Sequence, residues 1–231
     1  ALTLDEVKQL VDDFVAAAVR AERAGFDGVE IHGAHGYVIS QFLSPEINRR
    51  TDRYGGSPEN RARLLFEIVQ GVRSGCRAGF VLGVRLSPER FGLRLDEIRD
   101  VARQLLLGGQ IALLDLSLWD VFKEPEDAQF KGRSLLSYFT ELDRGSVRIG
   151  AAGKIMGGED ARRVLDAGAD IAIIGRAAIL HHDFPARVQA DPAFRAVALP
   201  VTAEYLRNEG LGPAFVRYMA GWKGFVQAEG T

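Results

Sequence analysis

The stretch Gly28-Val29-Glu30-Ile31-His32-Gly33-Ala34-His35-Gly36-Tyr37 decides how the rest of the chain is read. Its first half is short, carries Val29 and Ile31 and is bounded by glycine, which is the pattern of a strand. Its second half places two imidazoles and a phenol directly after that strand. In parallel α/β sheets ligands bind at the carboxyl ends of the strands. These side chains therefore stand where such a sheet does its chemistry. Two histidines three apart also admit a metal pair, yet no glutamate stands between them and no third ligand is evident. A packed, hydrogen-bonded pair is the plain alternative.

Working outward, a helix is signalled upstream. Thr3 and Glu6 form a capping-box pattern, and Leu2 and Val7 are placed as a hydrophobic staple. Val7, Leu10, Val11, Phe14, Val15 and Ala18 follow helical spacing, with Gly25 positioned to end the helix. Downstream, a long loop runs to about Ser57, where Ser57-Pro58 suits the N-cap and first position of a second helix. Its buried stripe is Leu64, Leu65, Ile68, Val69 and Val72. Alternation then continues with a strand at 80–86, a helix at 95–107 and a strand at 111–117. A helix near 135–142, a strand at 147–152, a helix at 159–167 and a strand at 170–175 complete it. The tail reads as helices, with 203–208 and 214–222 the clearest.

These short Val/Ile/Leu-rich strands between helices predict an α/β fold with a parallel sheet. Five strands are counted, whereas a closed (β/α)8 barrel needs eight. The chain is thus either an open five-stranded α/β protein or a (β/α)8 TIM-barrel type with about five of the eight parallel strands present. An open half-barrel exposes unpaired strand edges.

Composition narrows the function classes. The chain has 231 residues, 47% hydrophobic and 26% charged, with a formal net charge of −2. That balance gives no sign of nucleic-acid or polyanion binding. No apolar run approaches the roughly 20 residues of a membrane span, and the first residues lack a signal-peptide pattern. The single cysteine, Cys76, excludes an internal disulfide and a four-cysteine cluster of this chain. A cytoplasmic setting is expected.

At this point a resemblance becomes specific. The run from Ala24 to Tyr37, continuing through Gln41-Phe42-Leu43-Ser44-Pro45, Asn48-Arg49-Arg50-Thr51-Asp52 and Tyr54-Gly55-Gly56-Ser57-Pro58-Glu59-Asn60-Arg61, resembles the fourth barrel strand and following loop of the old yellow enzyme family. Similarity extends more thinly to the C-terminus, while that family's first three strands have no counterpart. The resemblance implies that residues 1–231 are the C-terminal part of a single FMN-binding TIM-barrel domain. It implies an FMN-dependent NAD(P)H oxidoreductase reducing activated alkenes such as enones and nitroalkenes. In that family the positions of His32 and His35 donate hydrogen bonds to the substrate's electron-withdrawing oxygen, which stabilises charge that builds on hydride transfer. The Tyr37 position resembles the proton donor to the α-carbon. Arg85 is expected to face the pyrimidine side of FMN, its alternative being an ion pair with Glu30 or Asp115. Gly153, Lys154, Gly175 and Arg176 follow the last two strands, where phosphate is commonly cradled.

Other features depart from that family or leave it open. An Asn-Pro-Asp type of turn is usual after the phosphate arginine, and here the stretch is His181-His182-Asp183-Phe184-Pro185. The ending around Gly212-Pro213-Ala214-Phe215-Val216 resembles members without an iron–sulfur cluster. Arg50, Asp52 and Arg53 are expected to form a structural salt-bridge network. A phosphate-binding isomerase or aldolase shares the glycines but does not account for the long match. The remaining alternative is a non-catalytic fragment that needs a complementary N-terminal barrel segment, or self-association, to hold flavin. The expected partner is otherwise a small electrophilic substrate.

Overall fold

The computed structural model describes residues 1–227. In chain order the elements are α1 (Leu4–Arg23), β1 (Gly28–Gly33), α2 (Val38–Leu43), α3 (Pro58–Gly75), β2 (Val81–Leu86) and α4 (Leu95–Leu107). Then come β3 (Leu113–Ser117), α5 (Ser137–Thr140), β4 (Arg148–Ala152), α6 (Gly158–Asp166) and β5 (Ile171–Ile173). Four helices close the chain: α7 (Arg176–Leu180), α8 (Phe184–Ala190), α9 (Ala203–Asn208) and α10 (Pro213–Ala220).

The local signals act as the chemistry of caps requires. Thr3 accepts from the Glu6 N–H while the Glu6 side chain accepts from the Thr3 N–H, closing the capping box of α1. Ser57 accepts from the Asn60 N–H, with Pro58 opening α3. Three expectations about extent are corrected. The loop after β1 contains the short helix α2, whose Ile39, Phe42 and Leu43 are buried. The helix near 135–142 shrinks to the single turn α5, and the last strand to three residues.

All five strands pair in parallel in sequence order, β1-β2-β3-β4-β5. The register sets Ile31 beside Val84, Val84 beside Leu114 and Leu114 beside Ile149. These residues and their same-face neighbours Leu82, Leu86, Leu116 and Ala151 are all buried. Because side chains alternate along a strand, the opposite face carries Glu30, His32, Arg85, Asp115 and Ser117. That face is open: Glu30 is exposed, as are Val81 and Ile171 at its foot. One face of the sheet is therefore sealed, and the other presents ionisable groups.

The loop after α2 is structural, as its composition implies. Arg50 pairs with Asp52 at 2.6 Å, while Arg53 turns instead to Glu67 at 2.8 Å. Arg61, buried, donates to the carbonyls of Leu43 and Gly56 and pairs with Glu97 of α4. It pins the end of α2, the loop and α4 together. A second, smaller core lies under the tail, built from Leu180, Val201, Leu206, Val216, Met219 and Phe225.

Candidate active site at the carboxyl ends of the strands

A cavity of about 400 Å³ opens at the carboxyl ends of β2 to β5. Its wall includes Arg85, Gly153, Lys154, Gly175 and Arg176, together with His35. Residues distant in sequence are thus brought to one site because each ends a neighbouring parallel strand. His32 and Tyr37 stand beside it: the His32 ring centroid is 5.0 Å from that of His35 and 5.4 Å from that of Tyr37. Tyr37 is the N-cap residue of α2, and its side chain makes no cap hydrogen bond and is exposed at 62%.

Burial, then the charge of Arg85, pushes both His32 and His35 below the ordinary histidine value. At neutral pH each ring is therefore neutral and carries one N–H donor. Neither ring makes a hydrogen bond to another described residue; only the backbone N–H of His35 is engaged, by Ser87 Oγ at 3.0 Å.

Arg85 takes the ion-pair setting while also lining the cavity. Its Nε donates to Ser117 Oγ at 2.6 Å and lies 3.2 Å from Asp115 Oδ2. Asp115 is the ion-pair partner, whereas Glu30 acts only through its charge. The Nη1 and Nη2 groups have no acceptor among the described residues, so the guanidinium fork is unspent.

The glycines differ in what they are for. Gly153 has φ +149°, and a Cβ there would stand 2.8 Å from the backbone of Trp119 and Asp120. Close packing against the loop after β3 requires that glycine. Gly175 has an ordinary negative φ, and a Cβ there would meet nothing within 4 Å. No packing among the described residues explains it. Lys154 is tied to Asp120 at 2.9 Å, whereas Arg176 forms no ion pair among the described residues.

Several cavity residues were not legible in the sequence. Among the described residues, the five non-glycine residues with positive φ are His35, Arg90, Phe91, Trp119 and Lys154, and all five line the cavity. Such conformations cost about 1–3 kcal/mol each and gather at functional sites. Trp119 centres a tight turn in which the Asp120 N–H donates to Leu118 O at 2.7 Å, with φ +64°. Arg90 lies over its ring, 4.6 Å from the centroid, and donates to Glu126 at 2.8 Å. Buried Glu89 accepts from the Glu126 N–H and pairs with Lys123, joining the loops after β2 and β3. No local sequence signal marks these contacts.

A second cluster, His181, Asp183 and Glu209, has ligand atoms close enough together for a metal ion. Its hydrogen bonds account for it otherwise. The Val197 N–H donates to His181 Nε2 at 3.0 Å, which places the ring proton on Nδ1, facing Tyr205 Oη at 3.2 Å. Tyr205 spends its own proton on Leu180 O at 2.9 Å. A metal at Nδ1 would have to displace that proton.

An α/β protein of barrel type, with a cationic cavity at the carboxyl ends of its strands, is the class that fold and site define. The chain belongs to the NADH:flavin oxidoreductase / NADH oxidase family, whose pattern matches residues 1–193. It is 36% identical over 196 residues to the probable NADH-dependent flavin oxidoreductase YqiG of Bacillus subtilis (strain 168), covering 82% of this chain and 52% of that protein. It is 37% identical over 194 residues to 12-oxophytodienoate reductase 1 of Oryza sativa subsp. japonica, covering 82% and 50%. The solved old yellow enzyme homologue from Zymomonas mobilis superposes with a TM-score of 0.71 at 31% identity, over 89% of this chain and 57% of that one. The chain spans about half the length of the relatives it matches. Among the described residues no helix is long and apolar enough to cross a membrane.

Proposed function

We propose that the cavity binds FMN and that the protein acts as an NAD(P)H-dependent reductase of activated alkenes. The observation that carries this reading is the convergence on one cavity of Arg85, Gly153, Lys154, Gly175, Arg176 and His35. The residues present fit the cofactor. Gly175 leaves open space that packing among the described residues does not explain, and Arg176 is a cation beside it without a partner among them. The backbone N–H groups of Gly153, Lys154, Gly175 and Arg176 have no acceptor among the described residues, as a phosphate cradle requires. Arg85 offers its free fork to the electron-rich edge of a ring.

FMN, when bound, supplies the hydride that passes from NAD(P)H to substrate. His32 and His35, as neutral donors, hold the substrate's carbonyl or nitro oxygen and favour the state in which charge accumulates on it. Tyr37, exposed beside His32, delivers its phenolic proton to the α-carbon. A visible spectrum after incubation with FMN and desalting tests the cofactor assignment: a retained flavin band supports it, and a colourless protein overturns it for the chain alone.

A second reading is favoured by the open sheet. Among the described residues β1 and β5 each lack a neighbour on one side, and the face bearing Glu30 and Arg85 is uncovered. On this reading the flavin site is completed by a complementary barrel segment or by self-association. Size-exclusion chromatography distinguishes the two: a flavin-binding monomer speaks for the first, a flavin-free associating species for the second.

A further inference from the structure

Asp115 is 2% exposed, and its Oδ1 has no hydrogen-bond partner among the described residues. A buried carboxylate oxygen left unpaired is costly in a protein interior and is uncommon without a role. The other oxygen, Oδ2, lies 3.2 Å from Arg85 Nε, but the Nε–H is directed at Ser117 Oγ, 2.6 Å away. The contact of Asp115 with Arg85 is therefore one of charge more than of direction. Ser117 and Asp115 together occupy the Nε edge of the guanidinium, which leaves the two Nη groups for the cavity that Arg85 lines.

Resting on the flavin reading, we propose that Asp115 is a positioning residue for Arg85. It holds the Nε edge of the guanidinium and, by gaining or losing its proton, sets how much positive charge the Nη fork presents to an electron-rich or anionic group in the cavity. With Asp115 neutral, Arg85 loses its ion-pair partner and is countered only by the more distant charge of Glu30. With Asp115 ionised, the pair is neutral overall and the cavity loses part of its pull on anions.

The surroundings place that proton in the working range. Burial raises the Asp115 carboxyl to about 7, with Arg85 opposing and the Glu30 carboxylate adding to the rise. The ionisable groups on the same face are Arg85 on β2, Glu30 and His32 on β1, and Arg148 at the foot of β4, which is itself paired with Asp170. β5 presents Ile171 and Ile173 there, and the helix-covered face is apolar.

The test titrates FMN into the full chain and into its Asp115→Asn variant at pH 5.5 and pH 8, following flavin fluorescence at constant ionic strength. The titration of the FMN phosphate is common to both proteins and cancels in their ratio. Near parity at the lower pH and about tenfold tighter binding by the variant at the higher pH is the expected result. A ratio that does not change with pH, or weaker binding by the variant throughout, overturns the proposal. A second measurement needs no flavin. The melting temperature of Asp115→Asn, or of Asp115→Leu should the amide fail to fold, gains on wild type as pH rises from 5 to 8, because only wild type must ionise a buried acid. A pH-independent difference in melting overturns the proposal. Failure of wild type to take up FMN at either pH sinks the flavin reading alone, and the melting comparison then decides the role of Asp115.

Discussion

The chain's four histidines form two pairs in two regions, and the pairs have opposite fates. His181 is 3% exposed, with one ring nitrogen accepting from Val197 and the other facing Tyr205, while neighbouring His182 is bonded to Glu209 at 2.8 Å. His32 and His35 have neutral rings, an adjacent cation and no partner for their ring nitrogens among the described residues. Hydrogen-bonding capacity consumed inside the chain holds structure. Capacity held free at a strand end is available to a ligand. The same residue type thus reads differently once its partners are counted.

The widest gap between the two pairs should open in turnover. Replacing His32 and His35 by Ala is expected to lower turnover of an enone by roughly a hundredfold to a thousandfold. Melting should shift by no more than about 0.5 kcal/mol equivalent. A large loss of stability in this variant would break the contrast. The converse holds for His181→Ala, which leaves the half-buried Val197 N–H without its acceptor. A loss of about 1–3 kcal/mol in chemical denaturation is expected, and an unchanged midpoint would show that the tail does not depend on the network.

The two cavity glycines sharpen the same distinction. Gly153→Ala forces a Cβ against the backbone of Trp119 and Asp120, and should cost about 1–3 kcal/mol by thermal melting. Gly175→Ala meets no atom of the described residues within 4 Å, so stability should hold while FMN affinity falls about tenfold, a difference of ~1.4 kcal/mol. Equal stability losses in the two variants would remove the argument for a cradle at Gly175.

The smallest effect is one of pH. Burial, then the charge of Arg187, depresses His181 in the folded protein below its ordinary value. A histidine held neutral in the fold contributes stability that is fully present above the unfolded value of about 6.5. That contribution is lost as pH falls below this value and through the depressed folded one. The acid-side decline in melting temperature should persist in the His32→Ala/His35→Ala variant, because His181 carries part of it, and diminish in His181→Gln. A decline that vanishes in the double variant would assign it to the cavity pair alone.

What the sequence determined by itself was the periodic and the local. Strand and helix order, the caps at Thr3 and Ser57, and the placing of His32, His35, Tyr37 and Arg85 at strand ends all depend on nearest neighbours or on side-chain alternation. Tertiary structure decided which charges meet and which backbones are strained. Asp115 is in sequence one of two candidate partners for Arg85, and only the parallel register sets it, rather than Glu30, directly beside Arg85 and buries it. Trp119, Arg90 and Phe91 carry no pattern that announces a positive φ. Their conformations are imposed by contacts between loops far apart in the chain, such as Gly153 against Trp119 and Glu89 against Glu126. The division follows from range: hydrophobic period and capping are short-range, whereas desolvation, ion pairing and backbone strain at a site arise only when distant segments pack together.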